Sequence, residues 1–326
     1  SSKAFAKYIM AKYNIPTADY KVFSRSEKAL LIHYLKTSAY PLVIKADGLA
    51  AGKGVVILSA FEEAAETIDD FFEKNIFGSA GDKVVIEEFL QGEEASVFAV
   101  SDGINYVILS PAQDHKRVFD NDEGKNTGGM GSYAPAPVVT PGLMTEIEDK
   151  VIKPTIAGMK SEGKSFVGCL YCGLMITADG PKVIEYNCRF GDPETQVVLP
   201  LIESDLLDLL YRASSKSLEN YKVKLSDKSA VCVVLASGGY PDKYDVGKVI
   251  TGLDSVAPDT IVYHAGTKIV DGNFVTSGGR VLGVTRIGSN LLNAIENVYL
   301  ELKNIHFEGM HFRTDIGKKG LKHFEG

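Results

Sequence analysis

Lys45 interrupts the apolar run Pro41-Leu42-Val43-Ile44, and an ammonium in such a strand is costly unless an anion meets it. A phosphate oxygen would serve, and so would an internal carboxylate. Strand alternation places Val43, Lys45 and Asp47 on one face. The loop that follows, Gly48-Leu49-Ala50-Ala51-Gly52-Lys53-Gly54, is no Walker A motif, because only three residues separate Gly48 from Gly52 and Lys53 precedes a glycine. A Gly/Ala hairpin can still fold over a triphosphate, offering main-chain N–H groups while a lysine adds charge. An ordinary flexible hairpin would have the same composition.

A second constellation is Glu185-Tyr186-Asn187-Cys188-Arg189. In a strand, the period of two projects Glu185, Asn187 and Arg189 from the same face. A carboxylate and an amide oxygen at that spacing suit a hard cation that shares its shell with nucleotide phosphates. Arg189 can hold a phosphoryl or carboxylate group in bidentate fashion. The turn Phe190-Gly191-Asp192-Pro193-Glu194 adds two acids. A third stretch, Glu87-Glu88-Phe89-Leu90-Gln91-Gly92-Glu93-Glu94, could offer main chain to a base edge and a carboxylate to ribose hydroxyls. The bland readings of these two are a polar strand face and an acidic strand end. Cys169-Leu170-Tyr171-Cys172 is expected to be core packing, since strand positions three apart face opposite ways and no second pair exists. His115 beside Asp114 is expected to satisfy a polar network.

The elements that hold these groups alternate between strand and helix. A helix and a Pro-containing turn precede the Lys45 strand, and Gly54–Leu58 returns as its hairpin partner. Phe61, Ala64, Ala65, Ile68, Phe71 and Phe72 recur at helical spacing. Val84–Leu90 is a strand, two more strands fall within 94–117, and 120–137 is a long segment without periodicity. A helix over 143–159 leads to strands at 166–177 and 182–189 around Ala178-Asp179-Gly180-Pro181. A polar linker is expected over 217–228, then short strands and a helix over 290–303 as a separate lobe.

The 326 residues are 45% hydrophobic and 24% charged, enough for a sizeable packed core. The formal net charge of -7, without a basic stripe, argues against a nucleic-acid partner. No apolar run approaches the roughly 20 residues that span a bilayer, so no membrane role is expected. Four cysteines in a chain this long suggest no disulfide framework and fit a reducing, cytoplasmic setting.

Taken in order, V-I-K-A-D-G-L-A-A-G-K-G-V, V-I-E-E-F-L-Q-G-E-E-A-S, P-A-Q-D-H-K-R-V-F-D, N-T-G-G-M-G-S-Y-A-P-A-P and E-Y-N-C-R-F-G-D-P-E-T-Q resemble the glycinamide ribonucleotide synthetase family. S-G-G-Y-P, H-A-G-T and S-G-G-R-V-L-G-V resemble that family's C-terminal lobe. The resemblance runs from Ser2 to about Gly317. It implies an α+β ATP-grasp fold over 1–225, with a mobile lid over about 38–93, and a small α+β lobe over 226–326. It further implies a ligase of purine synthesis that joins glycine to 5-phosphoribosylamine through glycyl phosphate, using ATP and Mg²⁺ or Mn²⁺.

Residue by residue, Lys3 and Lys45 are similar to the two triphosphate lysines, and Gly52, Lys53 and Gly54 to the loop over the phosphates. Glu87, Phe89 and Leu90 match the adenine segment and Glu94 the ribose acid. Glu185 and Asn187 match the metal ligands, with Arg189 and Lys45 at the reacting phosphate. Lys116, Arg117, Gly128, Gly129, Asp192 and Arg280 match the substrate side. Two departures stand out. Gly173 occupies the place where many ATP-grasp enzymes carry a further acidic ligand. The resemblance also implies a preceding N-terminal domain that these residues do not include, and fusion to other purine-pathway domains. Two rivals remain: another ATP-grasp carboxylate–amine ligase of the biotin-carboxylase type, and a nucleotide-binding module of a multifunctional enzyme, inactive without that domain.

Overall fold

The structure is a computed structural model that describes residues 2–48 and 54–324. The chain divides into two compact units, one of Ser1–Glu93, Gly142–Ser165 and Cys172–Tyr186, the other of Glu94–Pro141, Phe166–Tyr171 and Asn187–Gly326. The first unit opens with α1 (Lys3–Lys12), whose first turn is capped by the Ser2 hydroxyl accepting from the Phe5 N–H at 3.0 Å. There follow β1 (Tyr20–Ser24), α2 (Lys28–Thr37), β2 (Leu42–Ala46), β3 (Val55–Leu58), α3 (Phe61–Phe72) and β4 (Lys83–Glu88). The strands form an antiparallel sheet in the order β1-β4-β2-β3. β2 lies inside this sheet, with Lys45 opposite the buried Val85 on one side and the exposed Val55 on the other. The helical stripe expected on α3 is present: Ala64, Ile68, Phe71 and Phe72 are buried and share a core with Ile44, Leu58 and Ile86.

Beyond this sheet run β5 (Glu93–Asp102), β6 (Tyr106–Ile108), β7 (Gln113–Asp114), β8 (Arg117–Phe119), β9 (Glu123–Asn126) and β10 (Gly131–Ala134). The sequence suggests two strands over 94–117 and none over 120–137; the chain instead makes the ten-residue β5 followed by short strands in the first stretch, and two short strands in the second. Strands of two to four residues interrupted by glycines leave no alternating run long enough to read. The helix expected over 143–159 is α4 (Pro141–Ile147) and α5 (Lys153–Ser161), joined by a wider π turn over Glu148–Ile152. β11 (Val167–Thr177) and β12 (Gly180–Asn187) make the expected pair of strands, in a sheet ordered β12-β11-β5-β6. β12 stops at Asn187, so Arg189 lies beyond the strand and does not share its alternation with Glu185 and Asn187. Gly191 and Pro193 follow at once and cannot extend the run.

α6 (Thr195–Val198) and α7 (Leu206–Ser214) lead into the residues expected as a polar linker. They are packed instead: Leu218 is buried, and Tyr221, Val223 and Leu225 lie on the core that holds Val197 and Val198. The intervening lysines and acids masked that apolar set. β13 (Ser229–Ser237), buried along its length, is central to a sheet completed by β14 (Ile261–His264) and β17 (Arg280–Gly288). Between these two come β15 (Thr267–Val270) and β16 (Asn273–Thr276), a separate hairpin turned by Asp271 and Gly272 at φ 49° and 80°. Then come α8 (Leu291–Glu301), β18 (Met310–His311) and α9 (Lys318–Leu321). The large sheet is ordered β14-β17-β13-β10-β7, with β18 also on β13. Leu291, Ala294, Ile295 and Val298 of α8 pack on Val231, Val233 and Val281. The fold is α+β. Among the described residues no helix is long and apolar enough to cross a membrane.

Candidate functional site

In the first unit Lys45 meets an anion inside the protein. Its Nζ donates to Glu87 Oε2 at 3.0 Å and to the Ile184 carbonyl, also at 3.0 Å. The same Glu87 oxygen takes Lys7 Nζ at 3.2 Å, and all three side chains are nearly fully buried. Two ammonium groups thus share one carboxylate. Burial pulls Lys7 down to about 8, against the raising effect of Glu87. Lys7 carries no motif signal of its own, yet its spacing from Lys3 on α1, one helical turn, puts both on one helix face. Lys3 Nζ donates to the carbonyls of Ala46 at 2.6 Å and Gly48 at 3.2 Å. Burial lowers the Lys3 ammonium; Glu185 pulls it back up and Lys45 adds to the lowering. Lys3, Lys45, Glu87 and Glu185 therefore form one electrostatic neighbourhood.

Glu87 is the internal partner that the Lys45 strand left open, so its carboxylate is committed to lysines. The ladder of β4 ends at Glu88, and Phe89 and Leu90 follow it, with the Phe89 side chain exposed. Gly54 accepts from the Ala46 N–H at 2.8 Å, which closes the β2–β3 hairpin. Gly52 and Lys53 lie outside the described residues.

The second unit gathers most of the other expected residues. Glu94 and Lys116 form an ion pair, and Lys116 also reaches Asp114 at 3.1 Å. Desolvation opposes the Lys116 charge, but Asp114 and Glu94 hold its ammonium well above the ordinary lysine value. Arg117 donates to the Gly124 carbonyl at 2.7 Å. Arg280 grips Asp192 through two bonds, at 3.2 and 2.8 Å, and donates to the Gly128 carbonyl at 2.7 Å. Gly129, at φ 111°, lies against Pro193, where a Cβ would collide with the ring. Gly128, Gly129, Asp192 and Arg280, 152 residues apart at the extremes, thus meet in one place. Asn187 ends β12, and the Arg189 guanidinium turns back onto the Phe190 carbonyl at 2.7 Å.

Beside this set one buried group, Glu194, was missed, while His115 sits in the polar network expected of it. Glu194 accepts from the Ser96 hydroxyl at 3.0 Å, and Ser96 also lies 2.9 Å from the Tyr171 hydroxyl. Burial, with the charge of Asp114, pushes the Glu194 carboxyl up to about 7. The sequence shows Glu194 only as the second acid of the Asp-Pro-Glu turn. His115 is buried; its Nε2 accepts from the Gly317 N–H at 3.1 Å, and burial lowers its basicity. Cys169 is a buried thiol in the core, and burial pushes it up to about 12.

Among the described residues no three His, Cys, Asp or Glu side chains are grouped to hold a metal by themselves. Glu185 and Asn187 supply hard oxygen donors, which is the donor chemistry that magnesium takes when phosphates complete its shell.

Residues 1–195 match the profile of the phosphoribosylglycinamide synthetase ATP-grasp (A) domain, and residues 230–319 that of the phosphoribosylglycinamide synthetase C domain. A phosphoribosylamine–glycine ligase of Caldanaerobacter subterraneus subsp. tengcongensis is 50% identical over 97% of this chain and 75% of its own length. A bifunctional purine biosynthetic protein of Pichia angusta is 49% identical over 98% of this chain, which spans 41% of that protein. The crystal structure of a phosphoribosylamine–glycine ligase from Thermotoga maritima matches with a TM-score of 0.87 and 38% identity, covering 97% of this chain and 78% of that one.

Proposed function

This chain belongs to the phosphoribosylglycinamide synthetase family, and on that premise we propose how its residues carry out the ligation. It is an ATP-dependent ligase of purine synthesis that joins glycine to 5-phosphoribosylamine, giving glycinamide ribonucleotide. Residues 1–225 make the ATP-grasp part, with 38–93 as its lid, and 226–326 the C-terminal lobe. A cytoplasmic setting belongs to the same proposal, as does a further purine-pathway domain on the same polypeptide, after the bifunctional relative.

The triphosphate is met by Lys3 and Lys45 and covered by Gly52, Lys53 and Gly54. The main chain at 87–90 receives the adenine edge and Glu94 the ribose. Glu185 and Asn187 would hold Mg²⁺ or Mn²⁺, which when bound neutralises phosphate charge during transfer. Arg189 stands by the transferring phosphoryl group. Arg280 and Asp192, opposite charges held together, match the two ends of a zwitterion such as glycine. Lys116, Arg117, Gly128 and Gly129 receive the phosphorylated amine.

A glycine carboxylate oxygen attacks the γ-phosphorus and ADP leaves, giving glycyl phosphate. The amine of phosphoribosylamine attacks the acyl carbon, phosphate leaves, and the proton lost from nitrogen goes to phosphate or water. No side-chain nucleophile is needed, because positioning and charge neutralisation lower the barrier. Closure of the lid would keep water from the acyl phosphate.

The observation that carries this reading is the pair of buried ammonium groups, Lys7 and Lys45, on the single Glu87 carboxylate, with Lys3 and Glu185 in the same neighbourhood. A coupled assay should show ADP formation that needs glycine, phosphoribosylamine and a divalent ion together. Lys45→Met should weaken nucleotide affinity about tenfold, or about 1.4 kcal/mol. Turnover with bicarbonate or another carboxylate and none with glycine would select a different ATP-grasp ligase. Nucleotide binding without any ligation would select a binding module.

A further inference from the structure

The segment that carries Lys116 and Arg117 is fastened along its length by residues 191 to 205 positions later in the chain. Lys319 Nζ donates to the Asp114 carbonyl at 3.3 Å, and the Gly317 N–H donates to His115. Arg313 Nη1 donates to the Arg117 carbonyl at 3.0 Å, and His311 Nε2 to that of Val118 at 2.9 Å. Thr314 donates through both its N–H and its hydroxyl to the Asp120 carboxylate. The Asn121 N–H donates to Asp315 Oδ2 at 2.9 Å.

Arg313 is the centre of this strap. It is 1% exposed, binds Asp315 through Nε and Nη2 at 2.7 and 2.8 Å, and also reaches Asp122 at 2.7 Å. The planar fork of a guanidinium can serve all these acceptors at once, whereas an ammonium cannot. Asn121 and Asp122 turn the hairpin at positive φ, 59° and 55°, a region that Asn and Asp enter more readily than other non-glycine residues. Across the hairpin, the Thr127 N–H and hydroxyl both donate to the Lys116 carbonyl at 2.8 Å. The strap therefore sets the main chain on both sides of Lys116, and through Thr127 the entry to Gly128 and Gly129.

We propose that segment 311–319, with Arg313 as its fixed point, positions the subsite for the phosphorylated amine by locking the hairpin that carries Lys116 and Arg117. This inference rests on the reading that Lys116 and Arg117 face that substrate. Arg313 touches no substrate; it acts as a positioning residue through main-chain carbonyls.

The full chain would be assayed for the KM of phosphoribosylamine and of ATP, and for calorimetric affinity toward glycinamide ribonucleotide. Arg313→Lys keeps the charge and loses the fork; both the amine KM and the product Kd should rise about tenfold, while the ATP KM, reached only through the Lys116–Glu94 pair, rises less. His311→Phe keeps the ring contact with Phe119 and removes only the bond to Val118. It should fold as the parent does and raise the same two constants about threefold. A merely structural part would lower Tm and active fraction and leave KM alone, so unchanged amine KM and product Kd in the folded variants overturn the proposal. If Arg313→Lys does not fold, His311→Phe decides by the same criterion. A parent chain that neither makes nor binds the product refutes the substrate reading itself, and the inference resting on it falls too.

Discussion

The ionisation of Glu194 depends on the fold. Its carboxyl titrates near 7 in the native protein against an ordinary 4.5, because burial and the charge of Asp114 disfavour the anion. The folded state therefore keeps a proton that the unfolded chain releases as pH rises above 4.5. The stabilisation is fully present below that value and is lost as pH climbs through about 7. Thermal melts from about pH 5 to about pH 8 should show this decline, and Glu194→Gln should flatten it. A variant with the parent's slope would remove Glu194 as the cause. The same residue scale shows what a sequence can reveal. Lys45 stood out because it breaks an apolar strand, and its two possible partners, phosphate or carboxylate, could not be separated without knowing that Glu87 pairs across from Val43 in the next strand. Lys7 and Glu194 lie in ordinary helical and turn contexts, and only burial marks them.

At the scale of elements, the strap and the hairpin between β8 and β9 respond to acid through His115. Its basicity is lowered by burial and by the nearby Lys319 and Arg313, with Asp122 opposing. The neutral ring accepts the Gly317 N–H, and a protonated Nε2 cannot. Because the folded value lies below the ordinary 6.5, stability is lost as pH falls from there through the lowered value. Hydrogen exchange should therefore speed at Gly317 in mild acid relative to amides of β13; equal exchange across that range would contradict the coupling. The elements most readable in sequence were long and periodic, such as α3 and the β11–β12 pair. The short strands β7 to β10 were not, because each is only two to four residues long, and β10 takes one of its partners from distant chain, Ser132 pairing with Cys232 and Tyr133 with Val231. Arg189 was assigned to a strand that the Gly-Asp-Pro turn ends before it.

For the whole molecule, the order of motifs mattered more than any one of them. A glycine loop, an Asp-His-Lys-Arg run and a Glu-x-Asn strand are each short enough to arise by chance, yet their order pointed to a family that the 50% identical relative also occupies. The convergence of Gly128, Asp192 and Arg280 was beyond reach of spacing alone, since sheet topology rather than local pattern joins them. The chemistry assigned to this arrangement predicts a specific atom transfer. Glycine labelled with ¹⁸O in its carboxylate would be ligated in the presence of ATP, a divalent ion and phosphoribosylamine, and the released phosphate examined by mass spectrometry. One labelled oxygen should appear in each phosphate, with the other retained in the amide. Unlabelled phosphate alongside product would contradict activation of glycine as its acyl phosphate.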